Sequence, residues 1–414
     1  MTRPSIKVLY ICHDAQYYGS QQSLRLLLKH MPEIGVECHV SVARPGPLEE
    51  TLQAEADVVL HHHDRIQWVK HDRRGFFRAI VDLTTLFFQS LWRPWKLAKL
   101  IKQEGITLVH TNSAVSLEGA LAAKLAGVPH VWHIREIFMT DNPKFRPVLG
   151  KTITRRVIEA LSDRIVCISN AVQRQFGSAV ADNPDRYPVI YNVVEPPDPK
   201  KVIPKSVKAD LPHPFRVGYV GRISSGKRLH DLLEAMRMLK TAKLEPDLLV
   251  AGTFVDTPYE RRIEEMISQY RLYRQVKMLG YVESPAELYG HIDVLVVPSL
   301  NEPFGRVLIE AMQYGVLCVG ANAGGVPEII TDGETGLLYP PKDTRTLAGL
   351  LEKIIRNPER TEVLRKNAKR MLETRFTLEV QMGQLVRCYQ QALGIIPAEI
   401  PHKIDYQKAV ELKK

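Results

Sequence analysis

The chain has 414 residues, which exceeds one ordinary hydrophobic core and indicates about two domains. With 45% apolar and 25% charged residues, the composition is that of a globular protein and excludes an intrinsically disordered chain. A net charge of +10 would suit a nucleic-acid partner, but no common nucleic-acid-binding motif accompanies it, so we expect none.

Three features bear on where the protein works. No apolar run reaches the ~18–20 residues of a membrane-spanning helix. The N-terminus, Met1–Ile6, leads into a strand-like segment without the apolar stretch of a signal peptide. The five cysteines are far apart and lack zinc-site spacing. We therefore expect reduced core thiols in a cytoplasmic protein.

In the first half of the chain, short apolar segments alternate with amphipathic helices, which is typical of βαβ units and parallel sheets. The first predicted helix has its apolar face between Leu24 and Met31. The predicted strands are Ile6–Cys12, Cys38–Val42, Val58–His61, Leu108–His110, His130–His133, Ile165–Ser169 and Val189–Tyr191. We predict one doubly wound α/β domain over residues 1–195.

Three consecutive histidines, His61 to His63, have the residue type of a metal site. Successive side chains of a strand point to opposite faces, so three neighbours seldom converge on one ion. We interpret them as a strand end that runs into a loop, and we predict no metal site in the chain.

A basic segment follows. Arg65–Lys102 contains nine Lys and Arg residues against two acidic ones, and apolar residues recur at helical spacing from Phe76 to Leu91. One interpretation is a helix whose apolar face covers the sheet of the first domain. The other is a basic amphipathic helix at an anionic membrane surface, with Trp92 and Trp95 at the lipid. The two can coexist, and we hypothesise peripheral contact with the inner face of a membrane.

The alternating pattern stops at Glu195–Pro214, which holds six prolines and four lysines and predicts a linker. It restarts at Phe215, so the fold class is α/β with two doubly wound, Rossmann-like domains and a ligand expected between them. A last amphipathic helix is predicted to pack back toward the N-terminal domain.

The predicted strands of the second half are Phe215–Val220, Leu248–Ala251, Val276–Leu279, Val294–Val297 and Leu317–Gly320. The remaining boundaries are 196–214 for the linker, 215–375 for the second domain, 376–396 for the crossover helix and 397–414 for a charged tail.

A glycine- and serine-rich turn, Gly221–Arg228, lies between a predicted strand and a predicted helix. Small residues let a ligand approach the backbone, and a helix N-terminus favours an anion. Arg222 and Lys227 add two positive charges, so a diphosphate is the expected ligand. The alternative is two solvated cations near a turn.

Two glutamates, Glu302 and Glu310, are separated by seven residues around the next strand-to-helix loop. Carboxylates there would accept hydrogen bonds from vicinal hydroxyls of a ribose or a hexose. The free N–H groups at Phe304–Arg306, where the helix begins, would face an anion. A helix capped by one Glu, with a surface Glu inside it, fits the same spacing.

These residues resemble a known family. Glu302 and Glu310 match the EX7E motif of retaining glycosyltransferases of the GT-B fold, in the large group 1 family, family four. Joint occurrence of several motifs in the family's order is specific, unlike any one motif alone. Gly221-Arg222 with Lys227 resembles the family's donor-diphosphate site. Gly280-Tyr281-Val282, with Asp293 and Pro298-Ser299, resembles its nucleotide-base segment. Gly324–Glu328, with Gly333 and Gly336–Leu338, resembles its late loop.

The N-terminal half matches the family more loosely. Gly19 lies where the family has a Gly-Gly turn after its first strand, and it is assigned to donor binding. His133 lies at the end of a predicted strand, where the family has its active-site histidine. The alternative for a lone histidine is a core or capping residue.

The resemblance implies transfer of a hexose from a nucleotide diphosphate sugar to an acceptor hydroxyl, with retention at the anomeric carbon. The N-terminal domain would take a sugar or lipid-linked acceptor, and the product would be a polysaccharide, glycolipid or cell-envelope glycan. The residues with implied roles are His133 and Glu302 for catalysis, Arg222, Lys227, Phe304 and Gly305 for the diphosphate, Val282 for the base and Glu310 for the ribose.

No cofactor or metal is expected, since two protein cations can supply the charge of a divalent ion and no DxD motif is placed for one. One alternative is a nucleotide-sugar epimerase of the same fold, whose sites generally lack EX7E. The other is a non-catalytic nucleotide-sugar-binding relative, because fold alone does not establish activity. The presence of Arg222, Lys227, Glu302 and Glu310 argues against the second.

Overall fold

The computed structural model describes residues 6–16, 19–70, 76–140, 145–197, 215–282 and 285–395. They form two compact units. The first contains the chain up to Ile168, Gln173–Tyr191 and the residues from Thr377, and the second contains Ser169–Val172 and Asn192–Phe376. The predicted linker, except for its first two residues, and the predicted tail lie outside the described residues. The domain boundaries therefore stay predictions.

The first unit is built on a six-stranded parallel sheet in the order β3-β2-β1-β5-β6-β8. Its strands are β1 (Ile6–Cys12), β2 (Val36–Val42), β3 (Val58–His62), β5 (Leu108–Asn112), β6 (His130–Ile134) and β8 (Arg164–Cys167), with β4 (Val69–Lys70) and β7 (Arg146–Pro147) as a separate antiparallel pair. Its helices are α1 (Gly19–His30), α2 (Pro47–Glu55), α3 (Phe76–Gln103), α4 (Glu118–Ala126), α5 (Lys151–Leu161) and α7 (Ser178–Asp182). Helix α6 (Asn170–Gln173) precedes α7 in the chain and lies mostly in the second unit.

The second unit repeats this plan with the order β11-β10-β9-β12-β13-β14. Its strands are β9 (Arg216–Val220), β10 (Asp247–Ala251), β11 (Val276–Gly280), β12 (Val294–Val297), β13 (Leu317–Ala321) and β14 (Leu337–Tyr339). Its helices are α8 (Leu229–Thr241), α9 (Thr257–Gln269), α10 (Pro285–His291), α11 (Arg306–Gln313), α12 (Val326–Ile329), α13 (Thr344–Arg356) and α14 (Glu362–Arg375). Two Rossmann-like parallel sheets confirm the predicted fold class.

Strand β1 illustrates why these strands are apolar throughout. Val8 and Tyr10 pack in one core cluster, whereas Leu9 and Ile11 pack in another. Because side chains alternate along a strand, the two clusters lie on opposite faces of the sheet. Such a strand is buried on both faces, as parallel strands with flanking helices are.

The last helix, α15 (Leu378–Ala392), belongs to the first unit. Met382, Leu385 and Tyr389 are fully buried in the same core cluster as Val8. This confirms the prediction that the C-terminal helix packs toward the N-terminal domain. The five cysteines are all free and buried, as predicted.

In both sheets the strand order reverses beside the first strand of the unit. The reversal lies between β1 and β5 in the first unit and between β9 and β12 in the second. Ligands of doubly wound sheets bind at the carboxyl ends of the strands at such a reversal. The loops that begin after Val220 and Val297 therefore lie where a ligand is expected.

One strand prediction is wrong, and three short strands were not predicted. Val189–Tyr191 is not a strand, because Pro188 lacks an N–H and the segment forms only a bridge between Val189 and Cys167. The strand at Leu337–Tyr339 and the short pair β4 and β7 were not predicted. All three are short, and two or three residues carry too little periodicity to be recognised.

The interpretation that the apolar stripe of α3 covers the sheet is wrong for most of its length. Ile80, Leu83, Phe87 and Leu91 are 45–61% exposed. The end of the helix packs instead, and Leu97, Ala98 and Ile101 lie in a core cluster with Leu9. No helix in the described part of the chain has both the length and the hydropathy to cross a membrane.

The consecutive histidines point to different partners. His61 contacts the His39 ring (3.0 Å), His62 contacts Glu49 (2.9 Å) and His63 contacts Glu118 (3.1 Å). Within the described ranges, no group of three or more His, Cys, Asp or Glu side chains is arranged to hold a metal ion.

Leu385→Ala tests the packing of α15. Removal of a fully buried leucine side chain should lower the stability of the first unit by about 2–5 kcal/mol. Unfolding in urea, followed by tryptophan fluorescence, measures this unit specifically. All four tryptophans belong to it: Trp68, Trp92, Trp95 and Trp132.

Val380→Ala is the matched control, since Val380 is on the same helix and 40% exposed. Its effect should stay within about 0.5 kcal/mol. Equal urea midpoints for the two variants would contradict the described packing of α15.

Candidate functional site

The turn after β9 rests on the turn after β10. Gly221 N–H donates to the Ala251 carbonyl (2.9 Å). Gly252 has φ +151, and a Cβ there would lie 1.9 Å from the Gly221 oxygen, so only glycine allows this approach. The turn holds Arg222 exposed and Lys227 half-buried, in front of α8.

Glu302 lies in the loop between β12 and α11, and two glycines hold that loop in place. Gly325 N–H donates to the Glu302 carbonyl (2.7 Å). A Cβ on Gly324 would lie 2.4 Å from the Glu302 oxygen, and one on Gly325 would lie 2.8 Å from the Pro303 oxygen. The late loop therefore needs both glycines to support the backbone of Glu302.

The two loops meet at an ion pair between Lys227 and Glu302. The lysine ammonium donates to the glutamate carboxylate, and Leu300 N–H donates to the Gly226 carbonyl (3.4 Å). The two charged side chains are 30% and 12% exposed, so water screens them only partly. The structure thus brings together two of the predicted site residues, at the reversal of strand order.

Glu310 lies on the second turn of α11 and is held by a tyrosine. The Tyr289 hydroxyl donates to Glu310 Oε2 (2.9 Å), and Arg306 lies 3.4 Å from Oε1. Burial and the Glu310 carboxylate raise the pKa of Tyr289 well above its usual range, so this phenol keeps its proton. Sequence reasoning missed Tyr289, which lies on α10 without a motif of its own.

Phe304 and Gly305 form the start of α11. Phe304 is buried and its ring packs against Phe376 (5.9 Å between centroids). Gly305 has φ +108, which favours glycine, and it precedes the first helical residue. The first N–H groups of α11 therefore follow directly on the loop that carries Glu302.

Two further residues predicted for the donor site belong to other elements. Val282 is half-buried and follows β11, two strands from β9 in the sheet order. Gly19 is the first residue of α1 in the first unit, and its neighbour Tyr18 lies outside the described residues.

His133 lies near the end of β6 in the first unit and is fully buried. Its Nδ1 is 3.3 Å from His110 Nε2, and His110 Nδ1 is 2.7 Å from the Tyr389 hydroxyl. Arg135 follows on the chain and its Nε donates to Asn112 Oδ1 (2.6 Å). His110 and Tyr389 were not predicted, because a strand histidine and a helix tyrosine have no shared sequence signal.

The backbone at the end of β5 is strained. Ser113 has φ +142, a region that L residues rarely adopt. The Glu136 carboxylate supports it by accepting from the Ser113 hydroxyl and from Ala114 N–H (2.9 Å). Burial raises the pKa of Glu136. Backbone strain of this kind is often found at functional sites. Ser113 follows β5, which is the neighbour in the sheet of β6, the strand that carries His133.

Glu328, from the late loop of the second unit, binds a segment far away in sequence. Its carboxylate accepts from the backbone N–H and side-chain amide of Asn170 (2.7 Å each) and from Ala171 N–H (2.8 Å). The Ser169 hydroxyl donates to the Pro303 carbonyl (2.5 Å). These contacts place residues 169–171 beside the loop of Glu302, which sequence reasoning did not predict.

Two Rossmann-like units, with paired charges at the strand reversal of the second, are the architecture of the GT-B fold, and matching family models identify the class as a glycosyltransferase. The model for glycosyl transferases group 1 matches residues 205–371, and the model for glycosyltransferase family 4 matches residues 17–198. The chain belongs to this group 1, family 4 glycosyltransferase family.

Relatives and solved structures agree with this. The chain is 30% identical to a capsular polysaccharide biosynthesis glycosyltransferase, CapM, of Staphylococcus aureus, over 43% of this chain and 47% of that protein. It is 25% identical to the N-acetyl-alpha-D-glucosaminyl L-malate synthase of Bacillus anthracis, over 72% of this chain and 78% of that protein. The structure of Anabaena HepE in complex with UDP has a TM-score of 0.72 at 21% identity, covering 93% of this chain and all of HepE.

Gly325→Ala tests how the late loop supports Glu302. The added methyl group would lie 2.8 Å from two backbone atoms, so the loop must shift. We expect transfer activity to fall by about tenfold to a hundredfold, because small displacements of reacting groups are costly. Steady-state assays of the folded variant measure this.

Gly349→Ala is the control, since a Cβ at this position in α13 meets no atom within 4 Å. It should keep wild-type activity. Full activity in Gly325→Ala would show that the glycine does not position Glu302.

Proposed function

We propose that this glycosyltransferase moves a hexose from a nucleotide diphosphate sugar to an acceptor hydroxyl, with retention at the anomeric carbon. The observation that carries the proposal is the pairing of Lys227 with Glu302 on the two loops at the strand reversal. The likeness in fold to HepE in complex with UDP supports a uridine nucleotide among the candidate donors.

The donor diphosphate would bind Lys227, the exposed Arg222 and the first N–H groups of α11, with Phe304 and Gly305 shaping that helix start. In the free protein Lys227 neutralises Glu302. A diphosphate carries more negative charge than one carboxylate, so the lysine would turn toward it on binding and release Glu302 to accept from hydroxyls of the transferred sugar.

Glu310 would accept a hydrogen bond from the ribose. Tyr289 donates to one carboxylate oxygen (2.9 Å), while Arg306 lies at a longer distance from the other oxygen (3.4 Å). That geometry leaves acceptor capacity on Oε1 for a ribose hydroxyl. Val282 would contact the base, Gly19 would allow close approach of the donor, and His133 would contact the transferred sugar.

In the reaction, the bond between the anomeric carbon and the diphosphate oxygen breaks and a bond to the acceptor oxygen forms on the same face. The acceptor's proton passes to the departing phosphate. Negative charge grows on the diphosphate, where Arg222 and Lys227 would stabilise it. Removal of one such group typically raises the barrier by ~2.7–4 kcal/mol.

We also propose that the transfer needs no metal ion or cofactor, because the two cations and the helix start would supply the charge that a divalent ion supplies elsewhere. The product would be a polysaccharide, glycolipid or cell-envelope glycan, in line with the capsular polysaccharide role in the name of the S. aureus relative. Neither the epimerase nor the non-catalytic alternative is favoured, since both matching family models describe glycosyltransferases.

A thermal-shift panel of UDP-, GDP- and ADP-sugars tests the donor site. A donor at ~100 times its dissociation constant should add ~2.7 kcal/mol of stability. Lys227→Ala and Glu310→Ala should lose that shift and most of the transfer, whereas Lys366→Ala, at a 71% exposed lysine of the same unit, should keep both. Arg222→Lys should transfer poorly, because a point charge does not replace a guanidinium fork on phosphate.

Near-normal turnover in folded Lys227→Ala or Glu310→Ala would remove the donor-site assignment.

EDTA should leave transfer unchanged. Loss of activity in EDTA with recovery on addition of Mg²⁺ or Mn²⁺ would instead place a metal at the diphosphate.

We further propose that the acceptor is presented at an anionic membrane surface and that α3 contacts it. One face of α3 carries large apolar residues that are 46–83% exposed. They are Phe77, Ile80, Val81, Phe87, Phe88, Leu91, Trp92 and Trp95. A contiguous face of exposed large apolar side chains is typical of an interaction site.

The charges beside this face favour an anionic lipid surface over a second protein copy. Asp82 is the one acidic residue of α3, and it is buried. Arg93 and Lys96 lie 5.6 and 5.8 Å from the Trp92 ring centre, and the Lys96 side chain is 74% exposed. Exposed tryptophans with lysines beside them are typical of helices that lie in a membrane interface.

Vesicle sedimentation measures this contact. Wild type should bind anionic vesicles and not neutral ones, and salt should weaken binding because each nearby cation contributes ~1 kcal/mol. The double variant Lys96→Glu/Lys99→Glu should lose binding, and so should Trp95→Ser. The charge-matched control, Lys366→Glu/Lys369→Glu in α14, should bind as wild type does.

Equal binding to neutral and anionic vesicles would contradict the proposal. So would salt-insensitive self-association through α3, seen as a dimer in sedimentation velocity that Trp95→Ser makes monomeric. A soluble acceptor would then be the better hypothesis.

A further inference from the structure

A buried line of hydrogen-bonding groups runs from the core of the first unit to His133. The Tyr10 and Tyr389 hydroxyls are 3.3 Å apart, and Tyr389 is 2.7 Å from His110 Nδ1. His110 Nε2 is 3.3 Å from His133 Nδ1. All four side chains are fully buried, so no water competes for these contacts.

None of these groups is charged at neutral pH. Burial, and then the Arg135 guanidinium, hold the pKa values of His110 and His133 well below the usual histidine range. Burial raises the pKa values of Tyr10 and Tyr389 well above the usual tyrosine range. Each histidine therefore carries one ring proton, and each phenol keeps its own.

With one proton per group, the line has two consistent directions. In the first, the Tyr10 hydroxyl donates to Tyr389, Tyr389 donates to His110 Nδ1, His110 Nε2–H donates to His133 Nδ1, and the remaining proton of His133 is on Nε2. In the second, His133 Nδ1–H donates to His110 Nε2, His110 Nδ1–H donates to the Tyr389 hydroxyl, and Tyr389 donates to Tyr10. The proton of His133 is then on Nδ1.

Arg135 selects the first direction. Its terminal nitrogen is 3.5 Å from His133 Nδ1, and its Nε is anchored on Asn112 Oδ1 (2.6 Å). A guanidinium has only donors, so an N–H at Nδ1 would face another donor. An unprotonated Nδ1 instead accepts from both Arg135 and His110.

We infer that His110, supported by Tyr389, is a positioning residue that acts together with Arg135 to hold His133 as the tautomer with its proton on Nε2. This Nε2 is buried and has no hydrogen-bond partner among the described residues, so it offers an unsatisfied donor to a bound molecule. The inference rests on the proposed function in one respect, which is that the atom accepting this hydrogen bond is an oxygen of the transferred sugar. His133 then donates a hydrogen bond in the reaction and does not act as a general base.

The tautomer is read directly by long-range ¹H–¹⁵N spectra of the histidine-labelled full chain, with the His133 signals assigned by their loss in His133→Gln. In wild type the protonated nitrogen should be Nε2. His110→Leu removes the nearer of the two donors to Nδ1 and leaves only Arg135 at 3.5 Å, a distance at the limit of a hydrogen bond, so it should give a mixture of tautomers at His133. Tyr389→Phe should move the populations in the same direction.

His110→Gln is the rescue variant, because its amide can still donate to His133 Nδ1, and it should keep the Nε2–H tautomer. In transfer assays we expect kcat to fall about five- to tenfold in His110→Leu, as for loss of one hydrogen bond, with KM little changed and His110→Gln close to wild type. Tyr187→Phe, at another buried tyrosine of the first unit, is the control for core disturbance and should change neither readout.

A proton on Nδ1 of His133 in wild type would overturn the inference, and so would a single unchanged tautomer in both His110→Leu and Tyr389→Phe. The spectra do not depend on transfer. A protein with the Nε2–H tautomer and no transfer would therefore refute the proposed function alone, while normal transfer in His110→Leu with mixed tautomers would confirm the positioning role and refute only the requirement of this tautomer for transfer.

Discussion

The reversal of strand order in each sheet is the constraint from which the site follows. Strands β9 and β12 are neighbours in the sheet although other strands separate them in the chain, and because they run parallel, their loops leave the sheet at the same edge. Loops at such a reversal diverge and leave room for a ligand. Lys227 and Glu302 come from these two loops and meet in an ion pair.

Close backbone contact makes this arrangement rigid. Glycines at 252, 324 and 325 stand where a Cβ would overlap a neighbouring loop. Because the loops touch through their backbones, the carboxylate of Glu302 is placed by main-chain geometry and not by a flexible side chain alone. On the adjacent helix, the Tyr289 hydroxyl holds the Glu310 carboxylate by a hydrogen bond, and burial keeps this phenol protonated. Such supported side chains suit a site that must hold a donor in one orientation.

The two units differ in their electrostatics. The second unit presents paired and partly exposed charges, which suits a ligand with a charged diphosphate. The first unit surrounds His133 with His110 and the Arg135 guanidinium, and burial with that cation holds the pKa of His133 well below its usual range. Helix α3 adds a third environment, in which an apolar face and cations are both exposed.

Sequence patterns alone were enough to predict the two doubly wound sheets, the placement of Lys227 and Glu302 in turns after strands, and the placement of Glu310 inside the following helix. These features depend on periodicity and on residues a few positions apart. Only the folded chain shows that Tyr389 reaches His110 across 279 residues and that Glu328 binds Asn170 across 158. The same holds for which part of α3 is covered, because amphipathic spacing predicts that a helix has an apolar face but not what packs against it. Contacts between distant segments depend on how whole helices and strands pack against one another. The spacing of residues within one segment does not determine that packing.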